Sequence, residues 1–148
     1  MDGARDRPVS TATILFVCLH GSAKSLIAAE HLNRLAAARG LALRGESMGV
    51  EPDVAVPAAV VAGLAADGID VRGYAPRAID AERLAGATHV VSFGCDVRPV
   101  GSAPLSIERW DDSPMVSDGY ASARDAIVRR VERLLDALLD DQRDRRSR

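Results

Sequence analysis

Two hydrophobic periods alternate along the chain. Ile14-Leu15-Phe16-Val17 is a short run without a polar break, the pattern of a central strand buried on both faces. Beyond a loop at 18–24 the period becomes helical. Ile27, His31, Leu32, Leu35 and Ala36 share one face of residues 25–39, and Gly40 supplies the stop. Residues 41–47 alternate apolar and polar side chains and predict a second strand, closed by the turn Gly49-Val50-Glu51-Pro52. Pro57 and Gly68 bracket a second helix at 58–67. Breakers make 69–80 irregular, and 81–85 reads as one helical turn. Residues 89–93 and 105–110 predict the third and fourth strands. From about Ser117 the chain is helical, with Ile127, Val131, Leu134, Leu135 and Leu138 on one apolar stripe.

Strands that alternate with helices imply right-handed crossovers onto a parallel sheet. The expected fold is α/β, a three-layer α/β/α arrangement around a four-stranded parallel sheet. One domain is expected over 12–140, with flexible ends at 1–11 and 141–148. Ligands of such sheets bind beyond the carboxyl ends of the strands. Cys18, Cys95 and the segment after Trp110 all fall at those ends.

Composition narrows the core and the partners. The 148 residues suffice for one core, and 47% are hydrophobic but only 3% aromatic, so Ala, Val, Leu and Ile must fill it. A net charge of −2 advertises neither a nucleic-acid nor a membrane surface. Arg143, Arg145, Arg146 and Arg148 are interleaved with Asp140, Asp141 and Asp144, which suits a solvated, frayed helix end. The apolar run 54–66 is too short to span a bilayer, and no cleaved leader is expected before the first strand. A cytoplasmic, reducing location follows as the expectation, so Cys18 and Cys95 should not form a structural disulfide.

The candidate chemistry sits in Cys18-Leu19-His20-Gly21-Ser22-Ala23-Lys24-Ser25, between a buried strand and a helix. A short loop curling into a helix start aims several backbone N–H groups at one point, where the helix dipole also favours an anion. Gly21 supplies backbone freedom and Lys24 a full positive charge. The same features favour the thiolate form of a cysteine, and Ser25 can donate to it. Cys18 is therefore the expected nucleophile, and residues 19–25 the expected oxyanion cradle. No His, Cys and carboxylate group has metal-ligand spacing, so no metal is expected.

A Cys, five residues, a basic residue and Ser after a buried strand resembles the low-molecular-weight protein tyrosine phosphatases and the related thioredoxin-coupled arsenate reductases. Ser47-Met48-Gly49-Val50-Glu51-Pro52, Gly68-Ile69-Asp70, Pro76-Arg77, Ser92-Phe93-Gly94-Cys95 and Trp110-Asp111 have counterparts on the reductase side, in order, over roughly residues 13–138. The resemblance implies a low-molecular-weight-phosphatase-like fold, a Cys18 nucleophile, and a general acid that Asp112 or Asp111 would supply, Asp112 being nearer the proline. The chain departs from the family in five ways. Lys24 stands for Arg, a mobile point charge in place of a rigid fork. Ala23 stands for Gly and Gly21 for Asn. Trp110-Asp111-Asp112-Ser113-Pro114 lacks the Asp-Pro pair, and no third relay cysteine follows Cys95.

Three functions fit these residues. In an arsenate reductase, Cys18 attacks arsenate and the adduct is resolved by Cys95 or by an external thiol of the thioredoxin, glutathione or mycothiol kind. In a phosphatase of the protein tyrosine type, water hydrolyses a phosphocysteine with help from Asp111 or Asp112. In a binding module, the altered loop holds phosphate or arsenate without turnover. The scarcity of aromatics favours the small inorganic substrate. Cys95 is either the redox partner of Cys18 or a buried strand-end thiol. His20 is expected to hydrogen-bond within the loop, and His31 and His89 to be structural. The expected partners are a small oxyanion and a thiol–disulfide redox protein, with no bound cofactor.

Overall fold

A computed structural model describes residues 12–97 and 107–146. The elements run β1 (Ala12–Cys18), α1 (Lys24–Ala38), β2 (Leu43–Gly49), α2 (Ala58–Ala66), α3 (Ala81–Gly86), β3 (His89–Ser92), β4 (Ile107–Arg109) and α4 (Tyr120–Arg146). The sheet has the order β2-β1-β3-β4 with every pair parallel, as the strand–helix alternation requires.

β1 is central, and its side-chain alternation divides the core. Ile14, Phe16 and Cys18 face the cluster built by α1, α2 and α4, which includes Leu26, Leu64, Trp110 and Ile127. Leu15 and Val17 face Met48, Ile79, Leu84, Val90 and Val97 beneath α3. A strand inaccessible on both sides explains why the run 14–17 shows no polar alternation in the sequence. The outer edge of β2 is closed by Asn33 of α1. Its amide accepts from the Gly45 N–H at 2.7 Å and donates to the Gly45 carbonyl at 3.1 Å.

The boundaries differ from the sequence reading for local reasons. The Leu41 N–H bonds to the Ala36 carbonyl and so belongs to the stop of α1, whereas Met48 and Gly49 pair with Val17 and Cys18, moving β2 two residues along. The last helix is interrupted near its expected start. A 3-10 turn at Val116–Asp118 ends at Gly119, whose φ of +151° breaks the helix before Tyr120. Expected strand residues 105–106 and the expected flexible segment 1–11 lie outside the described residues, and α4 continues to Arg146. Among the described residues no helix is long and apolar enough to cross a membrane.

Asp67, at the end of α2, joins three helices. Its carboxylate accepts from the Tyr120 hydroxyl at 2.8 Å and pairs with Arg124, while its carbonyl accepts from Arg34. His31 Nε2 stands 3.3 Å from Asp67 Oδ2 without the alignment of a hydrogen bond. Tyr120 also lies against Gly63, where an added Cβ would meet its ring at 2.6 Å.

Candidate active site

β1 delivers Cys18 to the carboxyl edge of the sheet, and α1 begins six residues later. The thiol is 8% exposed. The Gly21 N–H donates to Sγ at 3.2 Å, and Ser25 Oγ lies 2.9 Å from it. Ser25 in turn lies 2.7 Å from Ser47 Oγ, which reaches the Gly21 carbonyl at 3.3 Å. These hydroxyls form a relay with two orientations. A protonated Cys18 can donate to Ser25, Ser25 to Ser47, and Ser47 to Gly21. A thiolate instead receives the Ser25 hydrogen while Ser47 donates to Ser25. Two donors thus converge on an anionic sulfur.

Such a bond to a charged acceptor is worth about 1.5–3 kcal/mol, so Ser25→Ala should slow alkylation of Cys18 at neutral pH by roughly tenfold. Iodoacetamide kinetics, with phosphate or arsenate as protectant, check this. An unchanged rate would show that the relay does not serve the sulfur.

The loop is held by backbone contact with residues 49–53. Val50 and Glu51 donate to the Cys18 and Leu19 carbonyls at 3.2 and 2.7 Å, and Asp53 to the His20 carbonyl at 3.0 Å. Gly21 takes φ +62°, and a Cβ there would meet Gly49 N at 2.7 Å; a Cβ on Gly49 would meet Gly21 N at the same distance. Two facing glycines let the segments touch, and Gly21 also needs its left-handed conformation. Buried Ser22 donates to Asp53 Oδ2 at 2.6 Å. His20 Nδ1 lies 3.1 Å from the Glu51 carbonyl, the loop-packing role expected of it.

α1 starts without a side-chain cap because Ala23 has no polar side chain to offer. Among the described residues, the N–H groups of Ser22, Ala23, Lys24 and Ser25 have no protein acceptor. Open first-turn amides with the positive end of a helix dipole suit a tetrahedral oxyanion beside Cys18.

The other candidates fall at the border of this loop. Lys24 Nζ donates to the Ser113 carbonyl at 3.0 Å, which ties the helix start to the segment after Trp110. The two carboxylates of that segment are turned to guanidinium groups: Asp111 Oδ2 is 2.9 Å from Arg109 Nε, and Asp112 pairs with Arg130. Cys95 follows β3, which pairs with β1 so that Val17 stands opposite Ser92. Its thiol points to the Val17 carbonyl at 3.6 Å, one residue from Cys18. Ser92 Oγ fixes this turn, accepting from the Cys95 N–H at 3.1 Å and donating to its carbonyl. Burial pushes the Cys95 thiol up, with the Ser92 bond opposing and the Cys18 charge adding to the rise. Among the described residues, no group of three or more His, Cys, Asp or Glu side chains could hold a metal.

Sequence reasoning assigned no role to Ser47, Asp53, Ser113, Arg109 or Arg130. Ser47 and Gly49 stood in a recognised segment, but their function depends on register with β1, which spacing does not encode. The Arg109–Asp111 spacing was the visible hint of a clamped carboxylate.

The model of the family described as low molecular weight phosphotyrosine protein phosphatase matches residues 13–96, more than half of the chain. No curated protein matches by sequence. Among solved structures, YfkJ from Bacillus subtilis is 19% identical with a TM-score of 0.77, covering 91% of this chain and 99% of its own. The thioredoxin-dependent arsenate reductase Cg_ArsC1' from Corynebacterium glutamicum is 18% identical with a TM-score of 0.77, covering 93% of this chain and 67% of its own. The YwlE arginine phosphatase from Geobacillus stearothermophilus is 20% identical with a TM-score of 0.65, covering 90% and 96%. At these identities the likeness is one of fold.

Proposed function

The chain belongs to the low molecular weight phosphotyrosine protein phosphatase family, and from that footing we propose a cysteine-dependent oxyanion enzyme of the arsenate-reductase type. The observation that carries this reading is the second thiol, Cys95, bonded to the carbonyl of the residue next to Cys18. In the proposed reaction the Cys18 thiolate attacks the arsenic of arsenate held by the 19–25 loop and by Lys24 once its Nζ leaves the Ser113 carbonyl, and one arsenate oxygen, protonated from solvent, leaves as water. Cys95, as thiolate, then attacks Cys18 Sγ. The electron pair of the sulfur–arsenic bond passes to arsenic, which departs as arsenite, and a Cys18–Cys95 disulfide remains. The two thiols supply the two electrons.

Adduct formation also removes the Cys18 charge that helps to push the Cys95 thiol up. A thioredoxin-type protein, glutathione or mycothiol in the cytoplasm would reduce the disulfide, with no bound cofactor.

A second reading, phosphomonoester hydrolysis, draws support from the Lys24–Ser113 bond, which brings the carboxylate segment to the oxyanion loop. There Asp112 or Asp111 would protonate the leaving oxygen after release from its arginine. Pure protein assayed for arsenite formation with each thiol system, beside an aryl phosphate, separates the readings. Arsenite formation with one thiol donor supports the reductase. Aryl phosphate turnover alone overturns it in favour of the phosphatase, and anion protection of Cys18 with neither activity leaves a binding module.

A further inference from the structure

Beside the Asp111–Asp112 segment lies a cleft of about 350 Å³ lined by Glu108, Arg109, Trp110, Arg130, Arg133 and Leu134. Three guanidinium groups face one carboxylate there, and that carboxylate is engaged by the Trp110 indole N–H at 2.9 Å. Arg109 and Arg130 are occupied by the chain's own adjacent carboxylates, Asp111 and Asp112. Arg130 also lies over the Trp110 ring, 5.8 Å from its centroid. Arg133 has no ion-pair partner among the described residues. The cleft is therefore already a receptor for consecutive carboxylates, with one guanidinium to spare.

We propose that this cleft docks an acidic segment of a protein partner, and that docking exchanges Asp112 for a partner carboxylate on Arg130. Exposed ion pairs are weak and exchange readily in water, and Asp112 is 77% exposed. A partner carboxylate that also gains Arg133 outcompetes Asp112. The chemistry of the occupant is read from the present one, which is two neighbouring carboxylates in a turn, each on its own arginine. Asp112 is one residue from Ser113, whose carbonyl Lys24 holds, so its release frees a carboxylate beside the oxyanion loop. Docking stands apart from the reaction at Cys18. The consequence for Asp112 deepens the phosphatase reading and rests on it.

Trp110 is the only tryptophan and touches the arginine in question, so its emission reports occupancy without any turnover. Titration with hexaglutamate at low salt should give a saturable emission change, weakened at least tenfold in Arg133→Glu and less in Arg133→Ala. Asp112→Asn should tighten hexaglutamate three- to tenfold by removing the internal competitor. Asp125→Asn, the same charge change beside Arg124, should stay within twofold of the parent. No saturable change, or equal affinity in Arg133→Glu, overturns the docking site. Equal effects of Asp112→Asn and Asp125→Asn overturn the exchange. Tighter binding of a single-stranded oligothymidylate than of hexaglutamate overturns the acidic-peptide assignment.

Discussion

Asp67→Ala is expected to lower the unfolding free energy by about 3–4 kcal/mol, the range for removing one partner of a buried, hydrogen-bonded ion pair. The side chain is 11% exposed and holds Tyr120 and Arg124, with His31 against it. Its loss strands a phenol, a guanidinium and an imidazole in the seam between three helices.

The pH dependence identifies the cluster. Burial pushes the Asp67 carboxyl up, but the Tyr120 hydroxyl and then the Arg124 and His31 charges outweigh it, leaving the group below its ordinary 3.8. Burial pushes His31 below its ordinary 6.5 against the attraction of Asp67, with Arg34 and Arg124 adding to the fall. In both cases the unfolded chain binds more protons than the folded one in the affected window, so stability falls with acid. His31 contributes that fall as pH drops below 6.5, and Asp67 only below 3.8. Without Asp67 the imidazole loses its attraction, so the variant's stability should fall more steeply than the parent's between pH 6.5 and 5. Urea unfolding at pH 8, 7, 6 and 5 measures both effects. A loss under 1 kcal/mol with a parallel profile would mean that Asp67 is a surface residue in energetic terms.

The sequence exposed those parts of the fold whose physics is local. The run 14–17 announced a doubly buried strand because every side chain in it is covered. The stripe Ile127, Val131, Leu134, Leu135 announced the long helix because one face must meet the sheet layer. The oxyanion loop was legible for the same reason, since nucleophile, glycine, cation and hydroxyl lie within eight residues. What stayed hidden is contact across the chain. Ser47 reaches Ser25 only because β2 and β1 align in parallel register, and Gly49 matters only because Gly21 lies against it. Asp112 reads as a candidate general acid until the fold places Arg130 of α4 on it, 18 residues away in the chain. Asp67 was passed over as the end of a helix, although its partners lie 33, 53 and 57 residues distant.

Cys95→Ser is expected to abolish arsenate turnover with a thioredoxin-type donor, a loss of at least about a hundredfold, if Cys95 is the resolving thiol. The first half-reaction should survive, because Cys18 keeps Gly21, Ser25 and the open amides of α1. The variant should therefore still be protected by arsenate against alkylation, yet fail to release arsenite. The parent should yield a Cys18–Cys95 peptide pair under non-reducing digestion after turnover, and the variant none. A disulfide requires Cα atoms roughly 4.4–6.8 Å apart. Cys95 is anchored at the Val17 carbonyl by its thiol and at Ser92 by its backbone, and Gly94 turns the chain at φ +81° between them. Cys18 packs into the cluster under α1, α2 and α4 and Cys95 against the cluster under α3, so bond formation must give up the Val17 contact and carry the Cys95 thiol around the end of β1 to Cys18 Sγ. Serine in place of Cys95 keeps the small polar side chain and removes only the attacking sulfur, so a folding defect would not mimic the result. Parental turnover by Cys95→Ser with glutathione or mycothiol would transfer the second step to an external thiol and leave Cys95 as a buried strand-end residue.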